Sequence, residues 1–111
     1  MYSPNQANWL IGEEVTGDAF RNMADPNSSN NGLSPQPDTY LGNYWTFDSD
    51  DVHTNCGVLN YWYYLLCEGG SGINDNGYSY SVAPIGPEKA FILSLLSATE
   101  YLTPNSNFYL A

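Results

Sequence analysis

The sequence predicts a mainly α-helical fold with long irregular loops and little or no sheet. Two apolar segments, residues 58–66 and 91–102, show helical spacing, and Gly-, Asn-, Ser- and Pro-rich stretches separate them. In the first segment the side chains that recur at helical spacing form one wide apolar stripe: Val58, Leu59, Trp62, Leu65 and Leu66. At 111 residues, the chain 1–111 is expected to be a single domain with one modest core.

The first helix has sequence signals for both of its ends. Thr54 or Asn55 can cap its N-terminus, and the glycine pair that begins at Gly69 can end it after Glu68. We therefore expect a buried central helix from about residue 55 to residue 68.

The second helix is predicted to begin at Gly86-Pro87-Glu88, because proline suits the first helical position and an acid suits the first turn. Thr103-Pro104 ends it. We expect the two helices to pack through the faces that carry Trp62 and Leu95. Between them, residues 69–77 read as a glycine-rich turn region, and residues 78–82 alternate like a short edge strand.

Charge and hydropathy exclude several classes of partner. Twelve acidic residues against two basic ones give a formal net charge of −10, which repels nucleic acid and anionic membranes. No apolar run approaches the ~20 residues of a membrane span, and the N-terminus lacks a basic segment followed by an apolar one. We expect neither a nucleic-acid nor a membrane partner, and any signal peptide lies outside this sequence.

The two cysteines are expected to be free thiols. Cys56 and Cys67 are eleven residues apart, which on one helix separates them by about 16 Å along the axis. A disulfide needs Cα atoms within ~7 Å. His53 and Cys56 could be half of a metal site, but no further Cys or His completes a full ligand set.

An acidic turn precedes the only histidine of the chain, His53. On chemistry alone, a lone histidine beside carboxylates is an ordinary exposed loop residue, and the single arginine, Arg21, is an ordinary surface charge. Asp48, Asp50 and Asp51 suggest a calcium loop, but the glycine and glutamate of an EF-hand are missing at the sixth and twelfth positions. Residues 27–37, rich in Asn, Ser, Gly and Pro, are predicted to form a long surface loop.

Four blocks of sequence give His53 and Arg21 a different interpretation. They are Asn-Trp-Leu-Ile-Gly-Glu-Glu-Val at 8–15, Phe-Arg-Asn-Met-Ala-Asp-Pro at 20–26, the run 48–70 containing Asp-x4-His-x-Asn-x-Gly, and Tyr-Leu-Thr-Pro-Asn-Ser-Asn-Phe at 101–108. In this order they resemble the C-terminal half of a thermolysin-like zinc metallopeptidase. The resemblance implies the helical C-terminal lobe of a two-lobed, secreted endopeptidase, truncated before its natural end.

The resemblance also implies what each matching residue does. In the family, zinc lies between the lobes on a His-Glu-x-x-His helix and a downstream glutamate, which this chain lacks, so the fragment alone should bind no zinc and be inactive. His53 matches the donor to the carbonyl oxygen that becomes negative as water attacks a peptide bond. Asp48 matches the carboxylate that orients this histidine, and Arg21 matches the arginine that binds a substrate carbonyl.

Two further sets of positions follow from the resemblance. Three residues match the lining of the pocket for the substrate residue just after the scissile bond: Ile11, Val15 and Phe20. Glu13 matches a calcium-ligating carboxylate, whereas Asn8 replaces an aspartate and Leu10 stands where an acidic ligand is common. Because calcium prefers six to eight oxygen ligands, a paired-calcium site is expected to be reduced or lost.

Two other functions remain open on the sequence. A non-catalytic acidic extracellular module could bind glycans through aromatic side chains such as Tyr44, Trp45 and Trp62, although packing also explains aromatic residues. A pseudopeptidase would keep the fold with a broken zinc helix. The partners expected for a working enzyme are a peptide or protein substrate and the N-terminal catalytic lobe in cis.

Overall fold

The computed structural model describes residues 8–12, 21–29, 35–48 and 51–107, and for Asp51 it describes the backbone alone. The mainly α-helical class is confirmed. The helices in these ranges are α1 (Asp51–Asn55), α2 (Gly57–Glu68) and α3 (Gly86–Leu96), with α3 running on into a π-helical turn at Ser97–Tyr101. A 3-10 turn spans Pro26–Ser28.

Two small antiparallel sheets accompany the helices. Strand β1 (Leu10–Ile11) pairs with β2 (Arg21–Asn22), and β3 (Gly70–Ile73) pairs with β4 (Ser79–Val82) with Gly70 opposite Val82. The predicted strand at 78–82 is therefore present. The region predicted as a turn supplies its partner strand, and only residues 74–77 remain as the turn.

The start of the central helix differs from the sequence prediction. The chain is already helical at Asp51, breaks at Cys56 and continues from Gly57, so Thr54 and Asn55 lie inside α1 and cap nothing. The Asn55 amide instead exchanges two hydrogen bonds with the backbone of Thr46, at 2.8 and 3.1 Å. The correction places His53 on a helix and not on a loop.

The predicted end of α2 is confirmed at Gly69. This glycine has φ 74°, and its N–H donates to the carbonyl of Leu65 at 2.8 Å. A Cβ at this position would lie 2.8 Å from Pro84 and 2.9 Å from the Val82 carbonyl oxygen, so both the turn and the close strand require glycine.

The buried residues of the two long helices are not those predicted. Cys67 and Ala90 are 5% and 0% exposed, whereas Trp62 and Leu95, the predicted contacts, are 40% and 50% exposed. Smaller side chains allow close approach, and the Ile85 N–H also donates to the Leu66 carbonyl at 2.8 Å. The expectation of a buried central helix is therefore wrong for α2 in this structure. The apolar side chains of α3 that remain exposed form a wide surface: Phe91, Ile92, Leu93, Leu95 and Leu96.

The segment predicted as a surface loop is partly internal. Pro26, Ser29, Gln36 and Pro37 are buried, Gln36 to 1% exposure. A Cβ on Gly57 would lie 2.5 Å from the Pro37 carbonyl oxygen and 2.8 Å from Gln36 Cβ, so the start of α2 must be glycine for this segment to pack. Because proline removes a backbone donor, a Pro-rich segment can be buried with few polar groups left to satisfy.

Within the described ranges, no helix has the length and apolarity needed to cross a membrane.

The two cysteines are free thiols, as predicted, but they differ in accessibility. Cys56 is half-buried and Cys67 is buried; burial, opposed by a hydrogen bond with Tyr63, raises the pKa of the Cys67 thiol. In the native protein at pH 8, we expect a disulfide reagent to modify Cys56 well before Cys67. The check is the rate of colour release for wild type against the single variants Cys56→Ser and Cys67→Ser; equal rates for the two thiols would contradict the burial seen here.

Candidate functional site

The backbone carbonyl oxygen of His53 is the contact point between the helix of His53 and Arg21. Arg21 Nη2 donates to His53 O in a long hydrogen bond of 3.4 Å, although 32 positions separate the two residues in the chain. Gln36 Nε2 donates to the same oxygen at 2.9 Å, and the Cys56 thiol contacts it at 3.5 Å. The structure thus brings Arg21 onto the helix that carries His53, whose side chain is exposed.

Arg21 lies on strand β2. It sits directly opposite Ile11 in the β1–β2 pair. Side chains of directly opposed residues share one face of a ribbon, with Cβ atoms about 4.5–5.5 Å apart. Ile11, a predicted pocket residue that is 36% exposed, is therefore beside the predicted substrate-binding arginine.

Aromatic packing fixes this ribbon on the central helix. The Trp9 ring meets the Tyr64 ring edge-on at 5.2 Å between centroids, and the Tyr63 ring at 6.3 Å. The Met23 N–H donates to the Trp9 carbonyl at 2.9 Å and extends the strand pairing. Edge-to-face contacts of this kind add stability beyond that of the area they bury. They hold the ribbon that carries Arg21 against α2, while His53 lies on α1.

Asp48 lies on an exposed segment that Asn55 holds against α1. Asn55, 3% exposed, donates from Nδ2 to Thr46 O and accepts from Thr46 N, and the Asp48 N–H donates to Thr46 Oγ1 at 3.2 Å. Across the described ranges no hydrogen bond joins the Asp48 carboxylate to the His53 ring. The orienting role of Asp48 stays a prediction.

Asn55→Ala should destabilise the protein by about 1–3 kcal/mol, because the N–H and C=O of the half-buried Thr46 lose their partner. Thermal or urea unfolding of the two proteins measures the difference. Asn43→Ala is the matched control, since Asn43 is exposed and engages Asp75 only through its backbone N–H. If both variants changed the free energy of unfolding by the same small amount, the hydrogen bonds of Asn55 would contribute nothing to stability.

Of the remaining predicted pocket and calcium positions, the structure describes only Asn8. Val15, Phe20 and Glu13 lie outside the described residues. Asn8 is exposed, and its Oδ1 accepts the Leu10 N–H at 2.9 Å in a local turn. Its side-chain oxygen is therefore already used within the chain, which weakens Asn8 as a calcium ligand.

The residues present do not fit a zinc site. The chain has a single histidine, so it cannot supply the two histidines of a His-Glu-x-x-His helix. Among the residues that the structure describes, no group of three or more His, Cys, Asp or Glu side chains could hold a metal ion.

A cavity of about 270 Å³ lies between α2 and the β3–β4 hairpin, with Tyr61, Trp62, Tyr80, Asp38 and Asp75 in its wall. The Tyr61 and Tyr80 hydroxyls share a hydrogen bond of 3.0 Å, and burial together with that bond raises the pKa of Tyr61. The carboxylates accept hydrogen bonds from neighbouring protein groups. The tyrosine pair joins the hairpin to the helix, and the carboxylates are bonded to Asn27, Thr39 and Asn43. Because these polar atoms already have protein partners, the cavity does not favour a glycan site.

A comparison against known families agrees with the mainly α-helical fold. The family described as the alpha-helical domain of thermolysin metallopeptidases matches residues 2–111. The chain belongs to this family.

Individual relatives support the same assignment. Bacillolysin of Bacillus caldolyticus is 38% identical over 96% of this chain, and thermolysin of Alicyclobacillus acidocaldarius subsp. acidocaldarius is 37% identical over the same share. Bacillolysin of Bacillus cereus is 33% identical, again over 96% of the chain. The chain spans about a fifth of the length of these relatives, 19%, 19% and 18% in turn.

Sequence reasoning missed two residues of this site. Asn55 was visible in the block Asp-x4-His-x-Asn-x-Gly but was interpreted as a helix cap. Gln36 lay in a polar segment with no periodicity, and nothing local signals that its amide reaches His53, 17 positions away. Both side chains act through contacts distant in sequence.

Proposed function

We propose that this chain is the substrate-binding and transition-state-stabilising part of a secreted zinc-dependent endopeptidase that hydrolyses peptide bonds. The observation that carries the proposal is the hydrogen bond from the Arg21 guanidinium to the carbonyl of His53. It joins the two residues that match functional positions of the family, one from each of two distant segments.

His53 acts on the reacting carbonyl. As water adds to a peptide carbonyl carbon, negative charge develops on the oxygen, and an imidazole N–H aimed at that oxygen stabilises the transition state more than the ground state. The exposed position of the ring on α1 leaves it accessible to a substrate. Asp48 is assigned to hold the ring in the tautomer that donates.

Arg21 binds a substrate carbonyl next to the scissile bond. A planar guanidinium carries five N–H donors, and Arg21 bonds His53 O through Nη2. The planar fork of donors matches the geometry of carbonyl and carboxylate oxygens. Ile11 beside it, together with Val15 and Phe20, forms the apolar pocket for the substrate side chain that follows the scissile bond. Binding a side chain there places the carbonyl for attack.

The zinc that activates the attacking water and the N-terminal lobe that holds it belong to the longer protein in cis. Relatives are about five times as long as this chain, which leaves room for that lobe. The exposed apolar side chains of α3, including Phe91 at 60% exposure, provide a surface of the kind that other parts of a protein cover. Calcium, if bound near the β1–β2 ribbon, depends on Glu13 more than on Asn8.

The rival functions are less well supported. The family match over residues 2–111 disfavours an unrelated acidic binding module. A pseudopeptidase differs from the proposal only in the zinc helix, so the sequence upstream of Met1 decides between them.

The isolated chain should bind no stoichiometric zinc and cleave no peptide, whereas the longer protein with its upstream lobe should do both. Metal analysis after dialysis, combined with an assay on a quenched fluorescent peptide, measures this for both proteins. One tightly held zinc per isolated chain with measurable hydrolysis would overturn the division of labour, and a zinc-free, inactive longer protein would overturn the proposed function.

A further inference from the structure

We propose that Gln36 is a positioning residue that sets the placement of His53 relative to Arg21. The inference rests on the proposed function and adds to it a residue that matches no assigned role. Gln36 touches neither substrate nor the reacting atoms; it acts through the backbone of α1.

Gln36 is connected to each segment that carries the site. Its Nε2 donates to His53 O at 2.9 Å, the shortest hydrogen bond to that carbonyl. Its own N–H donates to the Pro26 carbonyl at 3.1 Å, in the 3-10 turn that follows the Arg21 strand. Its Cβ lies against Gly57 at the start of α2. One buried residue therefore links the Arg21 segment, α1 and α2.

The helix that carries His53 needs such a link. α1 has five residues, too few to be stable as a helix in water by itself. Its carbonyl at His53 points at Gln36 and Arg21, so the hydrogen bond from Gln36 fixes the rotation of α1 about its axis. A ring attached to the same residue moves with that carbonyl, and a displacement of about 1 Å at a reacting centre can cost up to 10²-fold in rate.

Because Gln36 is buried, the hydrogen bond from its amide to His53 O depends on the chemistry of the side chain at this position. At 1% exposure, water cannot replace a lost donor. Gln36→Glu keeps the volume but exchanges the donor for a carboxyl group, which can donate to His53 O only when protonated. Burial raises the pKa of such a carboxyl, whereas the Arg21 guanidinium, which donates to the same oxygen, lowers it. The Cys56 thiol, 3.7 Å from Gln36 Nε2, is the other titratable group that faces this position. Gln36→Met keeps the length and removes the donor at every pH.

These variants are to be made in the full-length enzyme and compared with wild type as ratios of kcat across pH. We expect the ratio for Gln36→Glu to fall about tenfold as pH rises through the ionisation of the new carboxyl, and the ratio for Gln36→Met to be about tenfold low at every pH. KM should change less than kcat, because Arg21 remains on its strand.

Thr39→Val is the matched control. Thr39 is also buried, at 7% exposure, and its hydroxyl bonds Asp38 and the Asp75 N–H but nothing on α1. Its kcat ratio should stay within about twofold of wild type and be independent of pH. Melting temperatures identify any variant that is simply unfolded.

The proposal is overturned if both Gln36 variants keep kcat within about twofold of Thr39→Val at every pH. Its failure is distinct from failure of the proposed function. A wild-type enzyme that hydrolyses peptides and loses kcat on His53→Ala keeps the function whatever Gln36 does, whereas a wild-type protein without peptidase activity removes the function first.

Discussion

His53→Ala in the full-length enzyme is expected to lower kcat by about 10²- to 10³-fold, equivalent to about 2.7–4 kcal/mol, which is the cost of one lost oxyanion donor. The imidazole bonds the carbonyl oxygen most strongly when that oxygen is negative, so KM should change far less than kcat. Steady-state kinetics on a peptide substrate, with zinc quantified on each protein, make the measurement.

Asp48→Asn is the graded companion to this substitution. It keeps the side-chain shape but weakens acceptance from the ring, so its kcat should fall between those of wild type and His53→Ala. A His53→Ala enzyme with near-normal kcat would remove the transition-state role. Loss of zinc from that variant would instead show that His53 is a metal ligand, and the correspondence between His53 and the family's oxyanion donor would be wrong.

Arg21→Ala is expected to lower kcat/KM by about 10²-fold or more and to raise KM as well. The substitution removes hydrogen bonds from a charged donor to a substrate carbonyl, each contributing about 1.5–3 kcal/mol, and it also removes the bond to His53 O. Arg21→Lys should recover only part of the loss, because an ammonium lacks the planar fork of donors.

Lys89→Ala is the matched control for charge. Lys89 is the only other basic residue, and it lies exposed on α3. The substitution Lys89→Ala changes the net charge by the same amount as Arg21→Ala, but Lys89 is part of neither α1 nor the β1–β2 ribbon. If Lys89→Ala lost as much kcat/KM, the effect of Arg21→Ala would come from the overall charge of the protein and not from substrate binding.

Local sequence signals predicted the elements whose causes are local. The apolar spacing, the glycine at position 69 and the Gly86-Pro87 start located α2 and α3 closely, because propensity and termination act within a few residues. The same signals could not locate the faces that pack. Cys67 and Ala90, both small, are the buried side chains of α2 and α3, whereas Trp62 in the predicted stripe stays exposed.

The resemblance proposes residues for the site but does not indicate how the site is built. The resemblance singled out Arg21, Asp48 and His53. It did not reveal that Arg21 lies on a strand, that His53 lies on a helix, or that a buried glutamine connects them. The strand of Arg21 and the contact of Gln36 depend on pairing between segments ten or more residues apart, which no local pattern specifies. Helix α1 has five residues, too few to show a helical period in the sequence.

If this chain stabilises the transition state of peptide hydrolysis, His53 should bind a tetrahedral analogue better than it binds a planar amide. Two affinities are compared in wild type and in His53→Ala: that for a peptide with a tetrahedral phosphonate at the scissile position, and that for the matching amide substrate. We expect the affinity for the tetrahedral analogue to fall in proportion to kcat/KM, while the affinity for the amide is nearly unchanged. Equal losses for the two ligands, or none for the analogue, would contradict it.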